Sequence, residues 1–185
     1  MRLADALRIQ ARANRLAKRR LHEAMAALSE ADFCAPRVSL VPSPAATLSQ
    51  VLTVDLYCVG ARHAEADLRQ RHAAFIARSR LAEWTECLRA RDERLVAMCD
   101  GLDDVACDAM VDVDRGSQVQ RDRAGHVLAH FFMRQTLHRG QSHAMPACTR
   151  VAPPRPCEFL MPGDATLRAT GTAALGRTKA HTFGT

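Results

Sequence analysis

The chain of 185 residues carries eight histidines, and three of them fall with an arginine at steps of four: His126, His130, Arg134 and His138, within DRAGHVLAHFFMRQTLHRGQSH, residues 122–143. On an α-helix four residues turn about 400°, so each step drifts only about 40° and all four lie along one stripe. Two histidines at i and i+4 can aim ring nitrogens at one metal ion, as zinc sites built on helices do. On spacing alone the usable pair is His126 with His130. His130 and His138 are two turns apart, about 12 Å along the axis, too far to share one ion. The competing reading of the same stripe is a set of histidines that are solvated or held by hydrogen bonds.

The seven cysteines (Cys34, Cys58, Cys87, Cys99, Cys107, Cys148 and Cys157) are odd in number and form no C-x-x-C pair. Thiolate zinc sites and redox motifs need that close spacing, so neither is indicated. Most read as small core hydrophobes. Cys58 lies two helical turns from Gln50, which leaves a nucleophile or a core filler open for it. No G-x-S-x-G, H-E-x-x-H or phosphate-cradling glycine loop competes.

These residues must be positioned by helices. Leu3, Leu7, Leu21, Met25 and Leu28 recur at helical spacing and predict a first helix over about 2–29. Pro36, Pro42 and Pro44 mark a long irregular connection. Thr47 is the expected N-cap of a second helix to about His63, with Leu48, Val51, Leu52, Asp55, Leu56 and Val59 facing inward. A third helix is predicted over about 80–100 with Leu81, Trp84, Leu88, Leu95 and Met98 inward and Gly101 as its stop. Alternation in Met110–Gln120, around Arg115-Gly116, suggests a short extended or hairpin element. The histidine helix follows over about 121–145. The stretch after Pro146 is proline-rich and is expected to wrap over the helices, with residues 170–185 as a disordered tail and 1–169 as the domain. The expected fold is all-α: four helices in a bundle, a long connection after the first and a short extended element before the fourth.

Composition narrows the partners. Apolar residues make up 48% and charged residues 25%, the mixture of a globular core rather than a disordered chain. No apolar run reaches membrane-spanning length, and MRLADALRIQARANR breaks every apolar stretch with charge, so neither a membrane span nor a signal peptide is expected. With that cysteine usage, a reducing cytoplasm is the expected compartment. The net charge of +6 is small. Its densest part is the first helix, where Arg2, Arg8, Arg12, Arg15, Lys18, Arg19 and Arg20 meet only Asp5 before Glu23. That run supports an alternative reading as a basic bundle binding nucleic acid or an acidic partner without catalysis. The residues do not share one face, and one Tyr and one Trp give little to stack on bases.

The block from His130 to Gln141, HFFMRQTLHRGQ, resembles the fourth-helix signature of the DinB family, typically H-x-F-N-H-Q-T-H-H-R-G-Q. Residues 14–37, NRLAKRRLHEAMAALSEADFCAPR, are similar to that family's first helix and following turn. TLSQVLTVDLY, residues 47–57, resembles its second helix, T-L-N-H-L-L-x-x-D-x-x-W. LRARDERLVAMCDGL, residues 88–102, and PPRPCEFLMPGD, residues 153–164, fit the later elements, so the likeness spans about residues 3–169.

The resemblance implies a four-helix bundle, often a homodimer, of a damage-inducible family. Such bundles hold a divalent metal, zinc or nickel, on three histidines, one from the second helix and two from the fourth. Members with known activity use the metal to activate a low-molecular-weight thiol in transferase or hydrolase-type reactions; for many the substrate is unknown. Carried over by position, the ligand set here is Gln50, Arg134 and His138, with His130 as a neighbour. Only His138 keeps its imidazole. Gln50 offers a weak carbonyl ligand, and Arg134 has donors only and no lone pair. The expectation is therefore a degenerate metal centre with weak or absent metal, in which Gln50, Arg134 and His138 converge near Asp55 and Arg134 either pairs with Asp55 or points to solvent. Enzymatic activity is left open.

Overall fold

The computed structural model describes residues 1–68, 70, 81–114, 117–155 and 162–174, with backbone alone at 81–84 and 162. Helix α1, Leu3–Met25, begins where the Asp5 carboxylate accepts from the Arg2 backbone N–H. It ends before Ala26, short of the expected Ser29, because Ser29 is itself the N-cap of a separate short helix, α2, Glu30–Cys34, accepting from the Asp32 N–H. Helix α3, Pro44–Arg62, starts one turn earlier than Thr47. Ser43 Oγ accepts from the Ala46 N–H at 3.1 Å, and Pro44 occupies the first turn, where its missing N–H costs nothing. The Thr47 hydroxyl instead donates back to the Ser43 carbonyl at 2.8 Å.

Helix α4, Leu81–Asp100, is followed by a one-turn helix α5, Asp104–Asp108, capped by Asp103. The expected hairpin is present: β1, Met110–Asp114, pairs antiparallel with β2, Val119–Arg123, Asp112 opposite Arg121. The turn residues Arg115 and Gly116 lie outside the described residues. Along β1 only Val111 and Val113 are buried. Helix α6, Ala124–Ala144, therefore begins three residues later than the periodicity suggested. Residues 121–123 are taken by β2, and the Ala124 N–H closes on the Ala109 carbonyl. Helix α7, Ala165–Ala174, runs five residues past the boundary drawn at 169 and lies across α1. A Cβ at Gly171 would come within 2.7 Å of Leu16 Cδ1, so the missing side chain permits that approach.

The fold is thus mostly helical with one small two-stranded sheet. Among the described residues no helix is long and apolar enough to cross a membrane. Helices α3 and α6 run antiparallel: Gln135 bonds Asp55 and the Val51 carbonyl, while Met145 Sδ lies against Thr47 Oγ1.

Two apolar clusters fill the space between α1, α3, α4 and α6. One holds Leu7, Ala11, Val59, Leu95, Leu128 and Phe131; the other holds Leu21, Met25, Phe33, Leu48, Leu52 and Leu88. Helices α1, α3 and α4 each cross from one cluster to the other through a buried charge, Lys18, Asp55 and Asp92, and α6 places the buried amide of Gln135 at the same level. The inward faces of α1, α3 and α4 are apolar toward both ends with a charge between, while that of α6 is apolar before Gln135 and polar after it, at His138 and Ser142.

Candidate functional site

The polar layer is joined by hydrogen bonds at Asp55 and an ion pair at Asp92. Lys18 Nζ lies 2.6 Å from Asp55 Oδ2 and 2.5 Å from Asp92 Oδ1, and the three side chains are 3, 3 and 6% exposed. Gln135 Nε2 donates to the second oxygen of Asp55 at 2.6 Å and to the Val51 carbonyl at 3.3 Å. Asp55 is therefore satisfied from α1 and α6 at once. Burial by itself would lower the Lys18 ammonium, but the two carboxylates outweigh it and hold it above the usual lysine value. Burial pushes the Asp92 carboxyl up to about 6 against the pull of Lys18; the Asp55 charge adds to the rise and Arg15 opposes it.

A second buried polar set continues along α6. His138 Nδ1 faces Gln141 Oε1 at 2.9 Å, and an amide oxygen only accepts, so Nδ1 carries the proton. The lone pair then sits on Nε2, which is buried with no hydrogen-bond partner among the described residues, as is Ser142 Oγ one turn on. Arg139 donates to Asn14 Oδ1 on α1. The His-Arg-Gly-Gln block thus splits by role: Arg139 ties α6 to α1, and His138 with Gln141 forms a local pair within α6.

The candidate ligand residues differ in burial. Of the histidine stripe, only His138 is buried; His126 and His130 are exposed, and His126 pairs with Asp122 at 3.2 Å. The 40° drift per step, repeated three times, carries the stripe from the outer surface into the core. Arg134 and Gln50 are half-buried. Among the described residues no hydrogen bond or ion pair joins Gln50, Arg134 and His138 to one another, and Asp55 pairs with Lys18 rather than Arg134. The inward residue at that level of α6 is Gln135, beside Arg134. Among the described residues no group of three or more His, Cys, Asp or Glu side chains could hold a metal ion.

A divalent ion does not fit these residues. His138 Nε2 supplies one lone pair, Arg134 supplies none, and the nearest buried carboxylate, Asp55, is already neutralised by an ammonium.

Cys58 is half-buried against the first apolar cluster, the place of a core filler. Cys99 is fully buried, and burial pushes its thiol up to about 12, which suppresses the thiolate.

The basic run of α1 is spent inside the molecule. Arg2 and Arg8 pair with Asp5, Arg12 with Asp100, Arg15 with Glu93, and Arg19 with Glu23. Arg20 donates to the carbonyls of Arg155 and Leu167. An open cavity of about 510 Å³ lies between α1 and α4, with Lys18 and Asp92 in its wall beside Arg15, Arg19, Arg89 and Glu93.

Sequence reasoning placed Asp55 inward but treated Lys18 as part of a surface run and passed over Asp92 and Gln135. The signal was present: Asp92 occupies the inward position between Leu88 and Leu95, and Gln135 the one between Phe131 and His138. A polar residue at the inward period on four helices points to a shared layer.

No protein-family model matches the chain, and no curated protein matches it.

Proposed function

We propose that the chain is a divergent DinB-like four-helix bundle, built from α1, α3, α4 and α6, in which an internal ammonium has replaced the divalent metal. It works as a metal-independent homodimer that binds a small molecule, with a low-molecular-weight thiol as the class the resemblance suggests. The observation that carries this reading is the closure of Asp55 by Lys18 and Gln135. Asp55 belongs to the second-helix motif that carries the likeness, and a carboxylate already paired with a fixed cation gains little from a second one. This reading is preferred to the basic-surface one because Arg12, Arg15, Lys18 and Arg19 of α1 pair with carboxylates of the same chain.

Purified protein, prepared without chelator or affinity tag, should contain well under one equivalent of zinc, nickel or iron by elemental analysis. A stoichiometric metal removable by EDTA would overturn the proposal and restore a metal-dependent transferase reading. The complementary test rebuilds the site. The Gln135 contacts set Gln50 near the level of His138 across the antiparallel α3–α6 pair. Gln50→His with Arg134→His should therefore create Zn²⁺ or Ni²⁺ binding measurable by calorimetry, and raise Tm with metal. Each single variant should bind far more weakly. No binding by the double variant would show that the carried-over ligand positions do not converge.

A further inference from the structure

The Lys18–Asp55–Asp92 cluster holds one positive and two negative groups in a buried layer, one negative charge in excess. The two carboxylates are not equivalent. Asp55 is bonded by Lys18 on one oxygen and by Gln135 on the other. Among the described residues Asp92 has one ion-pair partner, Lys18, with a weaker attraction from Arg15, so a proton added to the cluster belongs on Asp92. Lys18 and Asp92 also line the open cavity between α1 and α4, which gives protons a path from solvent. The joint between these helices has this ion pair at its centre, with apolar contacts on either side and the more exposed pairs Arg12–Asp100 and Arg15–Glu93 beside it.

We propose that Lys18 and Asp92 form a proton-operated latch between α1 and α4, closed when the cluster takes up one proton under mildly acidic conditions and loosened when it gives that proton up. With Asp92 neutral, Lys18 and Asp55 balance and Asp92 can donate or accept without net charge. With Asp92 ionised, the layer buries an uncompensated negative charge, which favours opening of the α4 wall to water. The other charged and titratable groups facing Asp92 cannot supply this switch as directly. From α1, Arg15 pairs with Glu93 and Arg19 with Glu23; from α3 comes Asp55; from α6 only the amide of Gln135; on α4 itself Arg89 pairs with Glu86. His22, an imidazole at the cavity wall 3.4 Å from Thr85 Oγ1, needs a control.

The sign follows from the Asp92 carboxyl, raised from 3.8 to about 6 in the folded protein. The folded state then holds the proton more tightly than the unfolded chain. Stability contributed by Asp92 is highest at the acidic end and is lost as pH rises between those two values, by roughly a hundredfold in the folding equilibrium, and is level above.

The test uses the full chain. Carboxyl ¹³C shifts, assigned through the backbone, should show Asp92 titrating near 6; titration at an ordinary aspartate value would overturn the latch. Hydrogen exchange in α4, corrected for intrinsic rates, should be slower at about pH 5 than at about pH 7.5. Asp92→Asn, which imitates the protonated acid in shape, should hold slow exchange at both, and His22→Gln should behave as the parent. An unchanged pH dependence in Asp92→Asn, or its loss in His22→Gln, would also overturn it. Should Asp92→Asn not fold, the carboxyl titration of the parent protein decides the matter by itself.

Discussion

At the scale of single residues, the decisive side chains are those that are buried and charged. Lys18 is 3% exposed and holds two carboxylates. Lys18→Met leaves both without a cation and should cost ~3–5 kcal/mol in urea denaturation near pH 7, the usual penalty for breaking a buried pair from one side. Adding Asp55→Asn and Asp92→Asn should recover most of that loss, because no buried charge then lacks a partner. A Lys18→Met protein of unchanged stability would mean that water reaches the layer. Arg134→Ala is the contrast: half-buried and without an ion pair among the described residues, it should shift stability by no more than ~0.5 kcal/mol. Thiol labelling reads the same distinction. Cys34 and Cys148 are exposed and should react with an aromatic disulfide reagent in the native protein, while Cys99 should react only on unfolding.

At the scale of elements, local chemistry at the helix ends decided what periodicity could not. Apolar spacing locates a helix but tells little about its first turn, because the end is set by whichever side chain satisfies the free N–H groups. Thr47 and Ser43 are both suitable caps one turn apart, and Pro44 favours the earlier one. Ser43→Ala should therefore lower stability by ~1 kcal/mol, measured by chemical denaturation. Thr47→Ala removes a hydroxyl that bonds a carbonyl already within the helix, and should cost less. The start of α6 was hidden for a different reason. Arg121, Asp122 and Arg123 suit either an exposed helical turn or an edge strand, and pairing with β1 settled it.

At the scale of the whole molecule, the polar layer and the outer face of α6 carry separate roles. A layer of three charges between two apolar clusters penalises axial slip of α1, α3 or α4, since a shift of one turn would bury a charge among leucines. On the outside of α6, Met133 and Leu137 stand 63 and 51% exposed one turn apart, with open space beyond Gly140. That strip supports the proposed homodimer. Light scattering at micromolar concentration should give twice the 20.3 kDa of one chain. Leu137→Glu should give the single-chain mass with an unchanged helical spectrum; a parent protein at 20.3 kDa would remove the dimer from the proposal.

The sequence by itself determined the helical class, the hairpin before the last long helix, and the inward faces through Leu48, Leu52, Leu88 and Leu95. Those follow from period alone, and period is written in the order of residues. It also showed that Gln50 and Arg134 are poor metal ligands, because that is a matter of side-chain chemistry. Only the tertiary structure decided which charges are buried. Lys18 looks the same in sequence as Arg19 and Arg20, and Asp92 the same as Glu93, yet of these five only Lys18 and Asp92 enter the core. What separates them is the partner: Lys18, Asp55 and Asp92 are 37 residues or more apart along the chain. Their mutual neutralisation exists only once α1, α3 and α4 pack, since an ion pair offsets the cost of leaving water only when both members leave it together.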